Sequence, residues 1–135
     1  MSSVIPYYWF DTTGDPDLVE KIREQKSGYG KGGKLRCRCC AHIVTFENQR
    51  IPVAGSHSHY RSNPSGMEYH FQCFSNAPGC SACGPATYEY TWFQGYRWQI
   101  AVCKGCNEHL GWYFRGPSSF YGLIAARLVR DQDKV

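Results

Sequence analysis

Six of the eight cysteines in this 135-residue chain fall into three Cys-x-x-Cys pairs, Cys37/Cys40, Cys80/Cys83 and Cys103/Cys106. Two residues between thiolates let a chain turn around a metal while backbone N–H groups bond to sulfur. Two such pairs therefore supply the four soft ligands of a tetrahedral zinc. Three pairs for one site leave one pair over. By generic spacing, Cys80/Cys83 with Cys103/Cys106 fits best, with 19 residues between the pairs. The wider choice, Cys37/Cys40 with Cys103/Cys106, leaves 62 residues between them. It ties together the two ends of a β-rich region, where a crosslink constrains the chain most. Local residues do not decide, because Cys80–Gly84 and Cys103–Asn107 both carry turn formers. Cys39 and Cys73 read as small buried or half-buried apolar residues. His42 and His109 follow a pair closely enough to serve as alternative ligands, although packing or surface roles are the simpler reading.

A second constellation is aromatic. Trp92, Trp98 and Trp112, three of the four tryptophans, lie within 21 residues and bracket Cys103/Cys106. Indoles meeting at angles build either a core cluster or a flat-walled box for a small ligand. Such a box also suits a quaternary ammonium or a methylated lysine, with Glu89 as the obvious carboxylate nearby. The histidines and carboxylates show no spacing that suggests an acid–base pair, so catalysis is not expected.

These residues need a rigid scaffold. Charged residues make up 19% of the chain and aromatics 16%, with 14 Gly and 7 Pro, a balance that favours short strands and structured loops over a helical bundle. His42–Glu47, Met67–Phe74, Tyr96–Val102 and Leu110–Phe114 read as strands, and Phe120–Leu128 is an apolar run of ambiguous type. In the second of these, Met67, Tyr69, Phe71 and Cys73 alternate with Glu68, His70 and Gln72, as in a half-buried strand. Asn63–Gly66 and Asn76–Gly79 mark turns. Residues 1–34 differ in character. Asp15-Pro16-Asp17-Leu18 predicts a helix over Pro16–Gln25, and Ser27–Lys34, with four glycines in eight residues, reads as a flexible linker. The expected organisation is an arm over 1–34 and a mainly antiparallel β domain over 35–135.

The net charge of +4 is scattered rather than gathered into a phosphate-tracking patch. Four thiolates around a divalent ion would lower it to about +2, so nucleic acid is not an expected partner. No apolar stretch approaches the roughly 20 residues that span a bilayer, and the first residues lack a signal-peptide pattern. The expected compartment is cytoplasmic and reducing, where cysteines serve as metal ligands or free thiols.

Several motifs occur together here: Leu35-Arg36-Cys37-Arg38-Cys39-Cys40, Asn63-Pro64-Ser65-Gly66-Met67, Cys73-Phe74 and Tyr90–Trp98, then Cys103–Cys106, His109–Phe114 and Phe120–Ile124. With them the chain resembles the cereblon thalidomide-binding (CULT) domain, particularly its small single-domain bacterial members. The resemblance runs from Leu35 to Val129, about 70% of the chain. It implies a β-tent, two antiparallel sheets joined by one structural zinc held by Cys37, Cys40, Cys103 and Cys106. Cys80 and Cys83 then match positions where relatives lack cysteine. It also implies a cage of Trp92, Trp98 and Trp112 with Phe114 at the base, and a rim from Tyr90, Thr91, Asn63 and Pro64. Tyr90 stands where relatives carry Phe or His, and its expected contribution is through backbone groups. The implied ligands are cyclic imides such as glutarimide and succinimide, thalidomide-type drugs and uracil-like rings. C-terminal cyclic imides on peptides are a further candidate. A zinc β-tent enzyme like the B-type methionine sulfoxide reductases is the enzymatic rival, but no cysteine follows Cys106 to act as its nucleophile. The Lon-like region through which full-length cereblon docks on a ubiquitin-ligase adaptor has no counterpart here, so no such partner is expected of this chain.

Overall fold

The computed structural model describes residues 33–131. The helix expected over Pro16–Gln25 and most of the glycine-rich linker lie outside the described residues. Strands dominate what is described, and the helical pieces among these residues are two single 3-10 turns, Glu47–Gln49 and Ala125–Arg127. The strands are β1 (Lys34–Cys37), β2 (Ile43–Phe46), β3 (Ser58–Ser62), β4 (Glu68–Phe74), β5 (Cys80–Thr87), β6 (Arg97–Cys103), β7 (His109–Arg115), β8 (Phe120–Ile124) and β9 (Leu128–Arg130). They form a three-stranded sheet in the order β2-β1-β9 and a six-stranded sheet in the order β3-β4-β8-β7-β6-β5. Every pairing is antiparallel.

The large sheet is covered on both faces, which its side-chain alternation makes possible. One face carries Phe74, Ala101, Cys103 and Leu123, packed against Leu35 and Val44 of the small sheet. The other carries Phe71, Cys73, Trp112 and Phe114, closed over by Phe93 from the segment between β5 and β6. The expected alternation along β4 holds for Phe71 and Cys73, but Met67 lies before the strand and is 57% exposed. The ambiguous run Phe120–Leu128 resolves into β8, a 3-10 turn and the start of β9, so that one segment serves both sheets.

Glycine permits the tightest approach beneath the site. A Cβ on Gly122 of β8 would stand 2.8 Å from Phe71 Cδ2 and 3.0 Å from Phe114 Cε2. Both rings therefore lie directly on the β8 backbone.

Candidate functional site

Two strands place the site. Trp98 and Ile100 of β6 pair across the ladder with Phe114 and Trp112 of β7, so all four project from one face. A cavity of about 270 Å³ opens above them, lined by Trp92, Trp98, Trp112 and Phe114 together with Ile100, Tyr69, Asn63, Pro64, Tyr90 and His109. Trp92 meets Trp112 nearly edge-on, with ring centroids 4.9 Å apart at 79°, and stacks on Phe71 at 5.4 Å. Phe114 is buried in the floor, stacked on Phe120 at 4.9 Å. Trp92 and Trp98 are only half-buried. The tryptophans are thus walls of an open space rather than a closed core.

Hydrogen bonds fix the walls. Trp98 Nε1–H donates to Glu89 O at 2.7 Å, and Trp92 Nε1–H donates to Ser62 O at 3.1 Å. Each indole is tied to a neighbouring segment, and its N–H is already committed. The rim turn is held as well. Asn63 closes its own loop, with Oδ1 accepting from Met67 N–H (2.9 Å) and its carbonyl accepting from Gly66 N–H (2.9 Å).

Tyr90 adopts φ +58°, in the left-handed region that a bulky residue rarely occupies. Thr91 N–H donates to Tyr88 O (3.1 Å) to close this turn. The Tyr90 carbonyl and the Trp92 amide N–H take no hydrogen bond among the described residues. A strained turn that leaves a donor and an acceptor unused beside a cavity is the kind of local cost that functional sites carry. Thr91 does not line the cavity. Its hydroxyl donates inward to Tyr96 O at 2.8 Å and braces the loop.

His109 reaches the cavity through a β-bulge. The β6–β7 register runs from Ala101↔Gly111 to Val102↔His109, which leaves Leu110 unpaired. The bulge turns Leu110 into the inter-sheet core and His109 toward Trp112, with rings 5.3 Å apart and perpendicular. His109 Nε2 sits 2.9 Å from Gly111 O. A carbonyl can only accept, so the proton is on Nε2. Burial, with the Arg127 guanidinium adding to it, lowers the His109 pKa below the ordinary histidine value and so favours the neutral ring. Among the described residues that line the cavity there is no carboxylate, Lys or Arg.

Cys37, Cys40, Cys103 and Cys106 bring their sulfurs within 4.8 Å of one another. Cys37 and Cys106 sulfurs are 3.7 Å apart, and those of Cys40 and Cys103 are 3.6 Å apart. Zn–S bonds of about 2.3 Å at tetrahedral angles require an edge of about 3.8 Å between sulfurs, so the donor set fits one tetrahedral ion. The two knuckles repeat one geometry. Ala41 N–H donates to Cys37 O and Asn107 N–H to Cys103 O, both at 2.8 Å, with Ala41 and Asn107 at φ +67° and +65°. Cys37 N–H reaches His42 O, and Cys103 N–H reaches Glu108 O. In the second knuckle, Gly105 N–H lies 3.3 Å from Cys103 Sγ. Neither His42 nor His109 belongs to the sulfur cluster.

The third pair is not a knuckle. Cys80 and Cys83 lie along β5, where residues three apart point to opposite faces. Cys80 is buried between the sheets and Cys83 is exposed. Generic spacing therefore favoured the wrong partners, because β5 is extended where a metal site needs a turn. Burial, with nearby Cys103 adding to it, pushes the Cys80 thiol up to about 12. Burial likewise pushes Cys73 up to about 12.

Ile100, Tyr69 and His109 escaped the sequence reading. Period-two alternation from Trp98 points to Ile100, and the same alternation from Phe71 points to Tyr69. His109 had no such signal, because the bulge inverts its face.

No protein-family model matches the chain. It is similar to the protein cereblon of several animals. That of Danio rerio is 32% identical over 120 residues, which is 82% of this chain and 28% of the relative. That of Xenopus tropicalis is 30% identical over 121 residues, 83% of this chain and 27% of the relative. That of Gallus gallus is 28% identical over 120 residues, 82% of this chain and 27% of the relative. The chain thus spans about a quarter of the length of these relatives.

Proposed function

Starting from a chain that is cereblon-like over most of its length, we propose that its aromatic cavity holds a flat, neutral cyclic imide, of the glutarimide, succinimide or uracil type, without transforming it. The observation that carries this reading is the pairing of three indole walls with an unused Tyr90 carbonyl and Trp92 N–H at the rim. An imide presents one N–H between two carbonyls. It matches an acceptor and a donor set side by side, while its faces remain apolar enough to gain from indole contact, at roughly 25 cal/mol per Å² buried. The cavity volume sits just below the roughly 300–1,000 Å³ of ordinary small-molecule sites, which suits one small ring.

The same lining argues against the rival ligands. A quaternary ammonium gains from a nearby carboxylate, and none lines the cavity among the described residues. Glu89 meets Trp98 through its backbone carbonyl, and its side chain is exposed. Sulfur-redox chemistry lacks a nucleophile at the cavity, since no cysteine is among its described lining residues.

The four-sulfur cluster is read as a structural zinc site, with Cys37 and Cys40 anchoring the small sheet and Cys103 and Cys106 anchoring the strand pair that carries the walls. Zinc there would supply crosslinking of the two sheets rather than Lewis-acid catalysis, since four protein ligands leave no open position.

Tryptophan fluorescence titrated with glutarimide, uracil and trimethyl-lysine tests the ligand class. Saturable quenching by the imides, lost in Trp98→Ala with the fold intact by circular dichroism, is the expected result. Preference for trimethyl-lysine would overturn it.

A further inference from the structure

The leftover pair supplies an inference that rests on the reading of the four sulfurs as a metal site. Cys80 of β5 lies directly opposite Cys103 of β6, the first ligand of the second knuckle. The hydrogen bonds show which kind of antiparallel pair this is. Lys104 N–H donates to Gly79 O at 2.9 Å, while Cys103 N–H is used by Glu108 O and Cys80 N–H by Ala77 O. A bond between the residues flanking a pair, and none within it, marks a non-hydrogen-bonded pair. Such pairs bring Cα atoms to about 4.5 Å and side chains close together on one face. That spacing is at the short end of the disulfide range of about 4.4–6.8 Å. Both residues are buried in the same inter-sheet core, at 4% and 0% exposure. Cys83 faces the other way, so Cys80 has no partner within its own Cys-x-x-Cys pair.

We propose that Cys80 and Cys103 form a cross-strand disulfide under a hydroperoxide oxidant, which removes one ligand from the metal site and releases the ion. With hydrogen peroxide the stoichiometry is one metal-bound thiolate, one thiol, one peroxide and one proton from solvent to one disulfide and two waters. The Cys103 thiolate first takes an OH group from the peroxide: the O–O bond breaks, an S–O bond forms, and the displaced hydroxide takes a proton from solvent and leaves as water. The Cys80 sulfur then attacks the Cys103 sulfur, an S–S bond forms, the S–O bond breaks, and the second water leaves with the Cys80 proton. Each sulfur gives up one electron and the peroxide takes up two. A disulfide at the short end of the Cα range is strained and readily reduced, so reductant would restore the thiols and the site. Cys80 thereby acquires a role that a two-knuckle site does not require.

The test uses the full chain, with its bound zinc measured first by elemental analysis. Hydrogen peroxide is then added beside a zinc indicator, and disulfides are mapped by mass spectrometry of non-reduced peptides. The expected result is zinc release together with a Cys80–Cys103-linked peptide, both reversed by reductant. Cys80→Ala and the volume-keeping Cys80→Val should lose the linked peptide and recover less zinc on reduction, because a Cys103 sulfenic acid without its partner thiol oxidises further to a sulfinic acid that thiols do not reduce. Disulfides confined to the four ligands, such as Cys40–Cys103 or Cys37–Cys106, would overturn the proposal. So would pairs closed within single Cys-x-x-Cys units, the signature of an unfolded chain joining its nearest thiols. Unchanged release and rebinding in both variants would overturn it too. A chain isolated without bound metal would instead overturn the reading of the sulfur cluster, and the coupling with it.

Discussion

Replacing Tyr90 separates what its backbone does from what its side chain does. The residue sits at φ +58° with 67% of its surface exposed. A non-glycine residue in the left-handed region costs about 1–2 kcal/mol. Tyr90→Gly removes that cost and returns about 0.5–1 kcal/mol through the greater freedom of the unfolded chain. Little burial is lost, because the ring is mostly in water. The net change in stability is therefore between zero and about 1.5 kcal/mol of stabilisation. At about 4–8 °C per kcal/mol for a domain of this size, Tm should stay level or rise by up to about 12 °C. Tyr90→Pro does the reverse, since proline fixes φ near −65° and cannot hold the turn. The rim carbonyl would then move and leave a bound imide N–H unpaired, at about 1–3 kcal/mol, or a loss of roughly 5- to 150-fold in affinity. Differential scanning fluorimetry and glutarimide titration read both variants. Tyr90→Gly should bind within about threefold of the parent. A folded Tyr90→Gly that loses tenfold, or a Tyr90→Pro that binds normally, would refute the backbone account.

Three further outcomes follow from the packing and the charges. Gly122→Ala pushes a methyl onto Phe71 and Phe114, and overpacking of this kind costs typically 1–3 kcal/mol; a Tm within 2 °C of the parent would contradict the tight approach, given about 4–8 °C per kcal/mol. Removing the metal with a chelator, or mutating Cys103→Ser, should unfold the domain and abolish imide binding together, because structural zinc contributes on the order of 10–16 kcal/mol; a metal-free sample with native circular dichroism and undiminished affinity would refute this. Glu47 is bonded to Arg50, and its Oε2 lies 2.7 Å from Arg130 Nε, in charge contact without hydrogen-bond alignment. The bond from Arg50 lowers its carboxyl pKa. The clip's stabilisation is therefore fully present above the ordinary carboxylate range and is lost as pH falls through the lowered folded value. Glu47→Gln should be less stable near neutrality and flatten the acid side of a Tm-against-pH curve, and parallel curves for both proteins would discount the clip.

Strands whose buried face is rich in large apolar residues were legible in the sequence. His42–Glu47, Met67–Phe74, Tyr96–Val102 and Leu110–Phe114 correspond to β2, β4, β6 and β7, with ends shifted by a residue or so. β3, Ser58–Ser62, was not legible, because its one buried side chain is His59, which bonds to the Val53 and Ser56 carbonyls. β5 was hidden by Gly84 and Pro85, strand breakers that sit at an irregular sheet edge between Cys83 and Thr87. At the cavity, residue types and the family resemblance identified the walls. They did not indicate the Tyr90 turn conformation or the Leu110 bulge, since both arise from strand register and loop closure rather than from local composition.

β6 serves two layers at once, and the arithmetic of its side chains has a consequence for how such domains can vary. Trp98 and Ile100 occupy even steps of the strand and face the cavity, whereas Ala101 and Cys103 occupy odd steps and face the small sheet. The chain between wall and knuckle therefore carries a parity. Insertions or deletions of two residues preserve it, whereas a change of one would send either Trp98 or Cys103 to the wrong side. β7 has already made one such odd step, at Leu110, and its product is His109 in the cavity. New lining residues can thus enter this site by single-residue slips in a strand, with no substitution at any existing wall.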